Sequence, residues 1–126
     1  MHGTVQPGLK LERRKREDLL ILDLEGDLDS RSAGVAKEEV RVAIEGGNHR
    51  ILFNLEGVLY IDSAGLGTLV SALKATKEHA GGVYIAAMTP QVRMVIELTR
   101  LDKVLPVFDT VDQAISRLTD PKFSEA

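Results

Sequence analysis

The sequence predicts an α/β domain whose β-sheet is largely parallel and opens with an antiparallel edge hairpin. Three observations carry that prediction. After two strand-like runs, the apolar residues switch repeatedly between a period of two and a period near 3.6, giving the order β-β-α-β-α-β-α-β-α. Two of the helical stretches run into glycine pairs, Gly46-Gly47 and Gly81-Gly82, which close helices readily. Two strands carry a polar residue at matching places, Asp23 and Asn54, so one face of the sheet is expected to be incompletely covered. Strands buried on both faces would instead read as near-continuous apolar runs. A chain of 126 residues with 44% hydrophobic content has room for one such domain and one core.

Residues 1–8 contain Gly3, Pro7 and Gly8 without periodicity and are expected to be a loose lead-in. Leu9 and Leu11 begin an alternation that dissolves into Arg13, Arg14, Lys15 and Arg16, which reads as an edge strand and a turn. No aromatic residue interleaves with these cations and acidic residues flank them, so the run is a solvated hairpin and not a nucleic-acid patch. Leu19 to Glu25 is the strongest strand, with Leu20, Leu22 and Leu24 on its dry face. The segment from Gly26 to Gly34, GDLDSRSAG, is expected to turn the chain into a helix capped by Ser30 or Ser32, with Ala33, Ala36, Val40, Ala43 and Ile44 as its inner stripe. Arg50 to Leu55 is the next strand.

The helix from Ser63 to about His79 is expected to bury Leu66, Leu69, Val70 and Leu73. Val83 to Met88 follows as a strand. Thr89-Pro90 then caps and opens a helix from Gln91 to about Thr99, whose apolar residues Val92, Met94, Val95, Ile96 and Leu98 cover more than one face. Part of that helix is either a docking surface or covered by Leu101 and the C-terminal segment. A short strand near Val104 to Phe108 precedes a last helix, opened by Thr110 with Gln113 and packed through Val111, Ala114, Ile115 and Leu118. The folded domain is expected to span 9–119, with 120–126 as a polar tail.

Composition narrows the function. The net charge of −3 gives no general attraction to nucleic acid or anionic membranes. No apolar run has signal-peptide or membrane-spanning length, so the protein is expected to be cytoplasmic. The absence of cysteine removes disulfides, thiolate metal sites and cysteine nucleophiles. His2, His49 and His79 show no metal-ligand spacing, and no Ser-His-acid triad can be argued. Gly65-Leu66-Gly67 lacks both the third glycine of a dinucleotide fingerprint and a following Walker lysine. No metal, cofactor or catalytic residue is therefore assigned.

The stretch Tyr60 to Leu69, YIDSAGLGTL, is where the period changes from two to 3.6 and a strand hands over to a helix. Asp62 and Ser63 are both suited to cap that helix, and Gly65 and Gly67 remove bulk from its start. Read from the residues alone, this is an ordinary capped turn. A hydroxyl displayed there is also a reasonable phosphoryl acceptor, because helix N-termini tolerate anions.

The DSAGLG run, with an apolar residue before it and a leucine-rich helix after it, resembles the phosphorylation motif of STAS-domain anti-sigma-factor antagonists. The resemblance extends from Leu9 to Leu118. It implies a sheet with most helices on one side, Ser63 as phosphoacceptor, and an aspartate at the position of Asp29, in the GDLD run, close to that serine. It also implies that Asp29, Asp62, Ala64, Gly65, Leu66 and Gly67 meet a partner. The implied partners are an anti-sigma factor that is also a serine kinase, and a serine phosphatase. The implied function is a phospho-switched binding module, a kinase substrate and not an enzyme. The alternative is a non-switching STAS module, a signalling-assembly scaffold or a lipid-transport subunit, in which Ser63 is only a helix cap.

Overall fold

The computed structural model describes residues 3–6 and 8–122, with side chains from residue 8 onward. Its six strands form one sheet in sequential order: β1 (Gly3–Gln6), β2 (Leu9–Arg16), β3 (Leu19–Leu28), β4 (Arg50–Ile61), β5 (Gly82–Ala86) and β6 (Val107–Phe108). The pairs β1–β2 and β2–β3 are antiparallel, while β3–β4, β4–β5 and β5–β6 are parallel. Each parallel crossing carries a helix: α1 (Ala33–Glu45), α2 (Ser63–Lys77), and α3 (Pro90–Leu98) followed by a single 3-10 turn at Leu101–Lys103. Helix α4 (Val111–Leu118) ends the fold.

Two expectations change at the N-terminal edge. Residues 3–6, expected within a loose lead-in, form β1 against Leu9–Glu12, so β2 is not the edge. The basic run from Arg13 to Arg16 lies within β2, paired with Leu22 to Leu19. A strand of four residues that includes Gly3 leaves no apolar alternation to read. His2 lies outside the described residues, as do the last four positions of the expected polar tail.

One face of the sheet carries the main core, in which Leu20, Leu22, Leu24, Ile51, Phe53, Leu55, Val83 and Ile85 pack with residues of α1, α2 and α3. The predicted stripe of α1, Ala33, Ala36, Val40, Ala43 and Ile44, is buried in full. The stripe of α2 differs from expectation: it is Gly65, Thr68, Leu69, Ala72 and Thr76 that are buried, while Leu66 and Leu73 are partly buried against the core. Small and hydroxyl-bearing residues let α2 lie close to its neighbours, which an apolar-period reading cannot detect. The Thr76 hydroxyl satisfies itself by donating to the Ala72 carbonyl one turn earlier at 2.9 Å.

The opposite face is divided. At one end Leu19, Ile21, Leu52, Tyr84 and Ala86 pack with Ala114 and Leu118 of α4. At the other, Asp23 and Asn54 sit side by side in the β3–β4 register; Asn54 Nδ2 donates to Asp23 Oδ1 at 2.8 Å and Arg14 Nε donates to Asp23 Oδ2 at 2.7 Å. The polar interruptions therefore mark where α4 stops covering the sheet. Burial works against ionisation of Asp23, but the bonds from Arg14 and Asn54 prevail and hold its carboxyl below the ordinary value.

Strands β3 and β4 run on past their readable alternation to Leu28 and Ile61, through register shifts between Asp23 and Asp27. The segment expected to begin turning at Gly26 is still strand. Gly26 has φ +116° and a Cβ there would stand 2.0 Å from the Gly8 carbonyl oxygen, so this bulge requires glycine. Among the described residues no helix is long and apolar enough to cross a membrane.

Candidate functional site

The extended ends of β3 and β4 bring the loop after Leu28 beside the start of α2. Asp62 stands between β4 and α2 with extended backbone, φ −117° and ψ −171°, and its Oδ1 accepts a hydrogen bond from the Gly65 amide at 2.9 Å. Of the two candidate caps, Asp62 is the one used. Ser63 is the first helical residue and its side chain is exposed. The Leu66 amide donates to the Asp62 carbonyl at 2.9 Å, the first bond of the helix. Ser63 and Ala64 are left as the positions whose amides have no partner within α2, at the positive end of a 15-residue helix.

The carboxylate of Asp62 also reaches across to the neighbouring loop, where Oδ2 accepts from the Ser30 amide at 3.2 Å. The Asp62 amide donates to Leu28 O at 3.4 Å, closing the same junction. Within that loop Asp29 is buried at 8% exposure. Its Oδ1 accepts from the Arg31 amide at 2.9 Å and its Oδ2 from Arg31 Nη2 and Nε at 3.0 and 3.2 Å. The Arg31 guanidinium, by hydrogen bonding, holds the Asp29 carboxyl below its ordinary value. Arg31 Nη2 also stands 3.4 Å from Asp27 Oδ2.

Neither acidic residue of the GDLD run is thus a bare charge. Sequence reasoning missed Arg31, although an arginine two positions after an aspartate in a turn was the available signal. Ser32 occupies the N-cap position of α1 but makes no side-chain cap bond. Its fully buried hydroxyl instead accepts from the Asp29 amide at 3.1 Å and donates to Asp27 O at 2.8 Å, so it fastens the loop.

The two glycines of the motif serve different ends. A Cβ on Gly65 would lie 2.0 Å from the Leu28 carbonyl oxygen and 2.8 Å from Ile61 Cγ1. Gly65 is buried, so its missing side chain lets α2 approach β3 and leaves no opening for another protein at that position. Gly67 faces α1: a Cβ there would meet only the end of the Lys37 side chain, Nζ at 3.5 Å and Cε at 3.7 Å. Ala64 and Leu66 are half-buried. Just ahead of the turn Leu59 and Tyr60 are exposed to 64% and 53%, an apolar step beside Ser63 in the chain that sequence reasoning left unassigned.

This is a one-sheet α/β module that displays a capped, hydroxyl-bearing turn at the β4–α2 junction. Residues 10–114 match the STAS domain, and the chain belongs to that family. It is similar to an anti-sigma F factor antagonist of Paenibacillus polymyxa, 24% identical over 87% of this chain and 95% of that protein. Its fold matches the unphosphorylated form of the anti-sigma factor antagonist SpoIIAA with a TM-score of 0.76, at 23% identity over 86% of this chain and 95% of the other. The phosphorylated form of the Bacillus cell fate determinant SpoIIAA superposes with a TM-score of 0.70, at 22% identity over 86% of this chain and 98% of the other.

Proposed function

We propose that the protein is an anti-sigma-factor antagonist switched by phosphorylation of Ser63. In its unphosphorylated form it binds an anti-sigma factor that is also a serine kinase, and so frees a sigma factor. The observation that carries this reading is the exposed Ser63 hydroxyl at the first position of α2, held out by the Asp62 cap on a turn braced from both sides. Membership of the STAS family and similarity to proteins named anti-sigma factor antagonists support it.

The chemistry belongs to the kinase. Ser63 Oγ attacks the γ-phosphorus of ATP, the new Oγ–P bond forms as the bond to the β–γ bridging oxygen breaks, ADP leaves, and the hydroxyl proton passes to a base of the kinase. A serine phosphatase reverses the step by hydrolysis, releasing inorganic phosphate. The added group carries roughly −1.5 to −2 charges. Covering such a group in an interface without a matched cation costs several kcal/mol, and moving a complex from mostly bound to mostly free takes about 5.5 kcal/mol. The surface that meets the partner comprises Asp62, Ala64, Leu66 and Gly67 around Ser63, with Asp29 and Gly65 shaping it from beneath.

The test is recovery of partners from the native lysate on wild-type protein, with intact-mass measurement before and after incubation with ATP. The expected result is a co-purifying kinase and a single added phosphoryl group that Ser63→Ala abolishes. Recovery without any mass gain, or a gain that persists in Ser63→Ala, overturns the switch and leaves a non-switching STAS module.

A further inference from the structure

The face of α2 that displays Ser63 continues, one turn on, to Gly67, because positions four apart lie on the same side of a helix. Against that second position stands a cation from another element. Lys37 of α1 places its Nζ 3.5 Å from where a Gly67 Cβ would be. Lys37 is exposed, and among the described residues it makes no ion pair. Its neighbour Arg41 is committed, bridging Glu38 and Glu45 on α1 itself. Lys37 is thus an uncommitted ammonium beside the first two turns of α2.

We propose that Lys37 is the built-in receiver of the phosphoryl group on Ser63, bridging α1 to α2 when that serine is modified. This rests on Ser63 being the phosphoacceptor. Neighbouring side chains on one helix face have Cβ atoms about 5–6 Å apart. From beside Gly67, the flexible stem of Lys37 needs only to swing toward the N-terminus of α2 to reach phosphate oxygens on Ser63. Side chains on helices already lean toward the N-terminal end. Helices α1 and α2 both begin where parallel strands end, β3 and β4, so that lean carries Lys37 toward the level of Ser63. Gly67 is what keeps the passage between them clear of a side chain.

The other charges near the phosphate would be Asp62, whose carboxylate already accepts two amides, and Asp27 and Asp29, which are paired with Arg31. Lys37 is the cation left over to answer the added negative charge. An ammonium bridge also distinguishes the two states at the partner surface, because it draws Lys37 across the open face at Gly67 only in the modified protein.

The experiment uses full-length protein carrying phosphoserine at position 63, introduced co-translationally so that no kinase is required, and follows the phosphate by 31P NMR across pH. A free phosphoserine loses its second proton near pH 6. The expected result is a second ionisation lower in wild-type protein than in Lys37→Ala by about half a pH unit, the scale of a solvent-exposed ion pair, with Lys37→Arg restoring the lower value. Lys37→Glu should move it the opposite way. Coincident titrations in wild type and Lys37→Ala, with both folded by circular dichroism, overturn the proposal. Failure of any lysate kinase to phosphorylate Ser63 would instead count against the functional reading, and the titration would still stand or fall by itself.

Discussion

Asp62 Oδ2 accepts the Ser30 amide across 3.2 Å, and that bond joins two loops 32 residues apart in the chain. The same carboxylate caps α2 through Gly65. One side chain therefore sets both the start of the helix and its position against the loop after β3.

Asp62→Ala should destabilise the fold by about 1–2 kcal/mol, at the upper end for a lost cap, because a second backbone donor is orphaned as well. Ser63→Ala removes an exposed hydroxyl that caps nothing, and should change stability by less than about 0.5 kcal/mol. Urea unfolding of the two variants checks the contrast. Equal losses would mean that Ser63 shares the capping role.

The glycines should separate as sharply. In Gly65→Ala the added methyl meets the Leu28 carbonyl at 2.0 Å, and neither β3 nor the first turn of α2 can give way cheaply. A loss of about 2–3 kcal/mol or more is expected, as for an overpacked core position. Gly67→Ala meets only a mobile lysine tip, and gains up to about 1 kcal/mol in helix propensity. Thermal melts should therefore move in opposite directions. A Gly65→Ala protein as stable as wild type would contradict the close approach of α2 to β3.

These contrasts mark the limit of what was legible in the sequence. The α/β order, the α1 stripe and the Thr89 and Thr110 caps follow from periodicity and local chemistry, and the structure shows Thr89 accepting from Val92 N and Thr110 from Gln113 N. The excess apolar surface of α3 was also legible: Met94 and Leu98 are exposed at 62% and 78%, while Val92 and Ile96 are buried. Which of Asp62 and Ser63 caps α2 was not, because either residue type can do so and the choice depends on where β4 stops. The fold-back of Arg31 on Asp29 had only a local signal, an arginine two positions after an aspartate in a turn, and the placement of Lys37 beside Gly67 had none, since neither contact has a periodic signature.

Arg31 should govern how stability responds to acid. The Asp29 carboxyl is held below its ordinary value by Arg31, so its ionised form stabilises the folded state at every pH above the ordinary carboxylate range near about 4. That contribution disappears as pH falls through the depressed folded-state value. Urea midpoints of wild type and Arg31→Ala should accordingly differ at pH 7 and converge as the pH is lowered below about 4. A gap that stays constant down to pH 3 would show that Arg31 acts through packing and not through the carboxylate.

Phosphorylation should act on binding and not on folding. A phosphate on Ser63 would stand at the positive end of α2, where two backbone amides lack helical partners, and anions there are tolerated or mildly favoured. The nearby carboxylates oppose it weakly: Asp27 and Asp29 are paired with Arg31, and water screens so exposed a position. These local terms nearly cancel, so the melting temperature should shift by no more than a few degrees, corresponding to about 1 kcal/mol or less. The large cost arises only when a partner covers the turn and removes that water, leaving a dianion against an interface shaped for a hydroxyl. Affinity for the anti-sigma factor should therefore fall at least about a hundredfold, equivalent to about 2.7 kcal/mol. Paired melting and titration-calorimetry measurements on phosphorylated and unphosphorylated protein decide the matter: a large drop in melting temperature with affinity unchanged would place the effect in the fold.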